Sequence, residues 1–284
     1  MPRKIQPTYT KAKGARIVCM GDSLTSNYIW GVGLNKFYPR LVQDALNALG
    51  CSVLCRNFGV SGETTGQMLA RSAVMTQYEV PDMAIIYGGT NDAQYSSTVQ
   101  ASPTPTATTF SVASGKGVNL IAGTYILVDG VRAKILSVAT DAITLTAARA
   151  GGAPSTGNAV AIDTQGNIEA MGSSLVTAGC SKIVVVGRHY DNFSTGGDTV
   201  GSPLAAGTAL RAKQSAAATT LGAAYCDLWQ YMADRITATT DTQGSFSWHV
   251  FDSNIHLNTY GESIVSAAVV ATIQSKSGWV DSLE

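Results

Sequence analysis

The chain has 284 residues, and 19 Lys and Arg balance 19 Asp and Glu. Zero net charge leaves no basic footprint for a nucleic-acid backbone, and a hydrophobic content of 45% excludes a disordered chain. Apolar runs such as 183–186 are too short to span a bilayer, while the length suffices for a core without disulfide staples.

The first 14 residues are polar and basic and read as an arm. No apolar stretch follows them, as a secretory signal would need, so the predicted location is the cytoplasm or a virion. Residues 15–20 form an apolar run closed by Gly21-Asp22-Ser23, a buried strand ending in a turn. Phe37, Leu41, Ala45 and Leu49 recur at four-residue spacing and predict a helix ending at Gly50. Residues 52–56 read as a second strand, 64–75 as a helix and 83–87 as a third buried strand. Over 97–163 the texture turns to β-branched runs with strand patterns at 109–112, 125–128, 133–138, 142–145 and 159–162. Asp129-Gly130 between two of them signals a hairpin. This block is read as an inserted β module. Helix and strand then alternate again: helices at 168–178, 203–221 and 261–273, strands at 182–186 and 223–226. Such alternation implies a parallel sheet covered on both faces, with the chemistry at the carboxyl ends of its strands. The five cysteines, Cys19, Cys51, Cys55, Cys180 and Cys226, lack metal-ligand spacing and read as buried free thiols.

Four segments fall where chemistry is expected. They are Gly21-Asp22-Ser23-Leu24-Thr25 after the first strand, Asn57-Phe58-Gly59-Val60-Ser61-Gly62 after the second, Gly88-Gly89-Thr90-Asn91-Asp92 after the third, and residues 252–258, with His256, before the last helix. In this order they resemble the GDSL/SGNH hydrolase family over about residues 15–276, the β block excepted. The resemblance implies a flavodoxin-like three-layer α/β/α sandwich over 15–96 and 164–284, plus a small all-β insertion over 97–163. It also implies Ser23 as nucleophile, His256 as general base, and an oxyanion hole from the backbone of Ser23 and Gly59 and the side chain of Asn91. No metal or organic cofactor is implied.

The chemistry suits these residue types. A serine hydroxyl is a weak nucleophile until a base takes its proton. An imidazole titrating near neutrality can take that proton and return it to the leaving group. One detail departs from the family pattern, which places an aspartate three residues before the histidine. Here Ser253 stands there and Asp252 lies four residues before His256. Asp252 is expected to orient the ring, with Ser253, a backbone carbonyl or water as alternatives. Asp22 and Asp92 read as supporting or capping groups. Asn192-Phe193-Ser194 fits a glycosylation acceptor but carries little weight without a signal peptide.

Arg188, His189 and Tyr190, with Tyr28, Trp30 and Trp248, read as the lining of a shallow cleft, and His249 as a further contact. Arg188, His189 and Trp248 are the candidate substrate contacts. Aromatic faces and hydrogen-bonding groups suit an acetylated sugar, so the expected reaction is removal of O-acetyl groups from a carbohydrate. A general short-chain esterase and a non-catalytic glycan-binding protein of a virion or surface are the alternatives. The β block resembles modules of phage tail proteins in texture. It is expected to grip an extended ligand or to form a homo-oligomer contact.

Overall fold

The computed structural model describes residues 14–26, 36–189, 205–239 and 256–283. The predicted arm, Gly14 excepted, lies outside them. The apolar runs become β1 (Ala15–Gly21), β2 (Val53–Gly59), β3 (Met83–Tyr87), β10 (Ile183–Val186) and β11 (Ala224–Cys226). They form one parallel sheet in the order β11-β10-β3-β1-β2. β3 and β10 are buried at every residue, so both sheet faces must be covered.

Alternate residues of β1 serve the two faces. Ile17 and Cys19 pack with Tyr38, Val42 and Leu46 of α1 (Tyr38–Ala48), Leu228 and Met232 of α5 (Leu228–Thr239) and Ile264, Val265 and Val269 of α6 (Thr259–Gln274). Val18 and Met20 pack with Met68 of α2 (Thr65–Ala70), Ile168 and Met171 of α3 (Thr164–Ala178) and Ala217 and Ala218 of α4 (Ala205–Leu221). The result is a three-layer α/β/α arrangement. The helix α5 went unpredicted, although Leu228, Trp229, Met232 and Ala233 give it an apolar stripe. The predicted helix over 64–75 is shorter, breaking after Ala70 into a single 3-10 turn.

The stripe of α1 is rotated from the one predicted. Tyr38, Val42 and Leu46 are fully buried, whereas Leu49 is 46% exposed. Two apolar stripes compete on this helix. Tyr38 decides between them because its ring enters the core and both its polar groups find buried partners there.

A separate antiparallel sheet is built between β3 and α3 in the chain. Its strands are β4 (Ser97–Thr98), β5 (Thr109–Ser111), β6 (Tyr125–Val128), β7 (Val131–Ala139), β8 (Ala142–Leu145) and β9 (Ala159–Ile162), in the order β4-β9-β6-β7-β8-β5. β6, β8 and β9 alternate one buried residue with one more open, and the buried set, including Phe110, Ile126, Ile135 and Ile143, forms a core of its own. Asp129 and Gly130 both have positive φ, as a two-residue hairpin of this twist requires. The sheet is tied to α3. Asn167 accepts from the Tyr125 N–H (2.8 Å) and donates to its carbonyl (3.2 Å), and Arg132 pairs with both Asp163 and Glu169. Among the described residues, no helix is long and apolar enough to cross a membrane. Cys55 is half-buried and the other four cysteines are buried, all as free thiols.

Candidate active site

The strand order reverses around β1, with β2 on one side and β3 on the other, and the carboxyl end of β1 marks the place where open α/β sheets bind ligands. Asp22 and Ser23 follow there. The chain turns at once: the N–H groups of Thr25 and Ser26 both donate to the Asp22 carbonyl, at 3.1 and 3.0 Å. The Asp22 carboxyl caps this turn by accepting the Leu24 N–H (3.0 Å). Burial pushes that carboxyl up to about 7, against the pull of the backbone N–H groups of Leu24, Gly89 and Thr90. Gly21 has to be glycine, since a Cβ would stand 2.0 Å from Thr25 Oγ1 and 2.4 Å from the Tyr87 carbonyl.

Ser23 is 7% exposed, and its Oγ lies 2.9 Å from His256 Nε2. This contact joins residues 233 positions apart. His256 stands three residues before α6, whose N-cap Asn258 accepts the N–H groups of Tyr260 and Gly261. Asp252 and Ser253 lie outside the described residues, as do Tyr28, Trp30, Tyr190, the 192–194 sequon, Trp248 and His249.

Asn91 follows β3. Its Nδ2 donates to the Glu63 carbonyl (2.9 Å), which fixes the carboxamide and leaves the second N–H of that nitrogen to point elsewhere. Next to it, the buried Asp92 accepts the Thr65 N–H (2.8 Å), the Thr65 hydroxyl (2.6 Å) and the Thr164 hydroxyl (2.7 Å). Desolvation raises its pKa while these donors oppose the rise. Asp92 thus holds the starts of α2 and α3 against the Asn91 loop.

The structure corrects the expectation for Gly59. Its N–H is already donated to Asn57 Oδ1 (2.8 Å), and Asn57 Nδ2 in turn donates to the Thr25 carbonyl (2.5 Å). A Cβ on Gly59 would stand 2.3 Å from the Ser26 nitrogen. Gly59 is therefore the last rung of β2, paired in register with Gly21, and lets the turn at residues 22–26 lie against the strand. The same segment has its open position three residues on. Gly62 has a φ of +79°, is exposed, and donates its N–H to no group among the described residues.

Arg71, unnoticed in the sequence, braces this loop. Its Nε donates to both Glu63 carboxylate oxygens (2.8 and 2.7 Å), and its Nη2 donates to the carbonyls of Phe58 (2.7 Å) and Gly21 (3.3 Å). One guanidinium thus ties the ends of β1 and β2 to the residue whose carbonyl fixes Asn91. A Glu and an Arg eight apart around a short helix leave no pattern that a sequence reading could use.

The other predicted contacts divide. Arg188 is half-buried, and its backbone N–H donates to Gln214 Oε1 (2.8 Å). His189 is fully buried, with Nδ1 2.8 Å from the Tyr87 hydroxyl, so it belongs to the packing beneath the sheet edge instead of an open cleft. No group of His, Cys, Asp and Glu suited to a metal occurs among the described residues.

Residues 19–264 match the family described as GDSL-like Lipase/Acylhydrolase. The chain belongs to that family. That family is one of lipases and acylhydrolases. An arylesterase of Vibrio mimicus is 36% identical over 77 residues, which cover 27% of this chain and 38% of that relative's length. An acetylxylan esterase from Geobacillus stearothermophilus shares the fold with a TM-score of 0.56 at 14% identity, over 91% of this chain and 94% of that one. A lipase/acylhydrolase from Enterococcus faecalis does so with a TM-score of 0.52 at 17% identity, over 92% and 96%.

Proposed function

We propose that the chain is a serine esterase that removes short acyl groups, O-acetyl foremost, from a carbohydrate. The observation that carries the hydrolytic part is the 2.9 Å contact between Ser23 Oγ and His256 Nε2 at the carboxyl end of β1. In this reading Ser23 attacks the acyl carbon as His256 takes its proton. The carbonyl oxygen becomes an oxyanion, held by the Ser23 N–H, the second Nδ2–H of Asn91 and, in place of Gly59, the open N–H of Gly62. His256 then protonates the leaving sugar hydroxyl. A water molecule, deprotonated by the same imidazole, attacks the acyl-enzyme and releases acetate with Ser23 restored. Asp252 is the proposed orienting group for His256.

The carbohydrate part rests on the neutral composition, on the aromatic residues Tyr28, Trp30 and Trp248 flanking the motifs, and on the fold shared with an acetylxylan esterase. Residues 97–163 are proposed as an inserted module rooted beside Asn91, placed to grip an extended chain. A second reading, a general esterase of small or aromatic esters, is favoured by the local identity to the Vibrio arylesterase.

The test compares wild type with Ser23→Ala on p-nitrophenyl acetate and on acetylated xylo-oligosaccharides. Acetate release from the oligosaccharides at higher kcat/KM than from the aryl ester supports the carbohydrate reading. The reverse ranking transfers the proposal to the general esterase. Rates equal to Ser23→Ala on both substrates overturn the enzyme reading.

A further inference from the structure

The nucleophile and the base come from opposite ends of the chain, and His256 is on no strand of the sheet. Their separation must be set by whatever holds the start of α6 against the turn after β1. One continuous buried connection does so. Glu262 is in the first turn of α6, where its N–H donates to the Asn258 carbonyl (2.9 Å). Its Oε2 accepts the Tyr38 N–H at 2.8 Å. Tyr38 opens α1, so this N–H has no acceptor within its own helix. The Tyr38 hydroxyl lies 3.2 Å from Thr25 Oγ1, two residues beyond Ser23. Thr25, Tyr38 and Glu262 are all 0% exposed.

Stability alone does not account for this arrangement. A glutamate is almost never fully buried unless paired, and here Oε1 has no partner among the described residues. Burying an incompletely satisfied carboxyl costs free energy that an apolar side chain would not. The connection is also braced from the sheet. The Tyr38 ring meets the Tyr87 ring edge-on, with centroids 5.9 Å apart, and the Tyr87 hydroxyl is held by His189. Together with the Ser23–His256 contact, the bonds from Thr25 through Tyr38 to Glu262 close a ring around the reacting pair.

We propose that Glu262 and Tyr38 are positioning residues for the ester hydrolysis. They form a strut that fixes the distance at which His256 meets Ser23. The proposal rests on the reading of Ser23 as nucleophile and His256 as base. The strut needs an acceptor for the Tyr38 N–H and a hydroxyl for Thr25, not a negative charge.

The test measures kcat and KM on p-nitrophenyl acetate, the rate of labelling by a fluorophosphonate, and the melting temperature. The labelling forms a bond from Ser23 Oγ to phosphorus and expels fluoride, with the serine proton passing to His256, so its rate reports how well the pair is placed. Displacing reacting groups by about 1 Å can cost about 100-fold. Glu262→Ala is therefore expected to lower kcat and labelling by about 10- to 100-fold, with KM within about twofold. Tyr38→Phe, which removes the hydroxyl's bond to Thr25 and its contact with the Cys19 thiol and leaves the Tyr38 N–H bond to Glu262 in place, is expected to lose about 3- to 10-fold. Glu262→Gln keeps the acceptor and recovers most of the loss. Tyr38→Phe that labels and turns over like wild type, or Glu262→Gln that folds but is about 10-fold or more slower than wild type, overturns the proposal even where Glu262→Ala does not fold. Wild type no faster than Ser23→Ala removes the esterase reading, and the proposal with it.

Discussion

The two sheets bury their residues by different rules. In the parallel sheet β3 and β10 are dry throughout, because helices cover both faces. Polar groups are therefore pushed to the strand ends, and Ser23, Asn91 and their supports all collect at one rim. In the antiparallel sheet β6, β8 and β9 bury alternate residues, one face is more open, and turns leave from both ends. A sheet of the first kind concentrates chemistry; one of the second kind offers a surface.

That contrast can be broken or sharpened. Its largest expected signature is at the rim. Asn91→Ala should lower kcat by about 100- to 1,000-fold, the usual loss for one oxyanion donor, with little change in melting. A tenfold smaller loss would move the role to another donor. Next comes the antiparallel core. Ile135 is fully buried there, and Ile135→Ala should cost about 2–5 kcal/mol in that sheet. Measured below its melting transition, kcat should stay within about twofold of wild type. A loss matching that of Asn91→Ala would show that the second sheet shapes the reacting groups.

The smallest signature is in pH. Burial raises Asp22 to about 7 and Glu262 to about 8, Asp22 with help from Asp92. In the unfolded chain these carboxyls ionise near 4. Between those values the unfolded state binds fewer protons than the folded one. Stability is thus fully present below about pH 4 and falls as pH rises through the window. The groups facing Glu262, Tyr38 and beyond it Cys19, both titrate well above their ordinary values and stay neutral there. Melting temperature should therefore decline from pH 5 to 8, and Glu262→Gln should flatten part of that decline. An unchanged slope would mean that Glu262 ionises near its ordinary value.

Local features were legible in the sequence, and long-range ones were not. The apolar runs, the turn after β1 and the Asp129-Gly130 hairpin are set by neighbours in the chain, and they appear where expected. Gly59 misled because β2 runs on to it: pairing with β1 extended the strand past Arg56, the predicted end, and turned a loop residue into a ladder residue. The rotation of α1 escaped for a related reason. Its partner, Glu262, is 224 residues away. His189 looked accessible because it follows a strand at the right rim, but Tyr87 draws it inward.

The joint around Asn167 has a consequence for how the gene could be cut. A separate sheet within a chain is often pictured as detachable, a bead that could be trimmed away. Here trimming would strip Asn167 of both its bonds to Tyr125, and Glu169 of Arg132. Each buried polar group orphaned in this way costs about 1–3 kcal/mol. Asn167 also donates to the Thr65 hydroxyl, which itself donates to Asp92, one residue from Asn91. A shortened chain would need new side chains at the start of α3 before its rim could be expected to keep its shape.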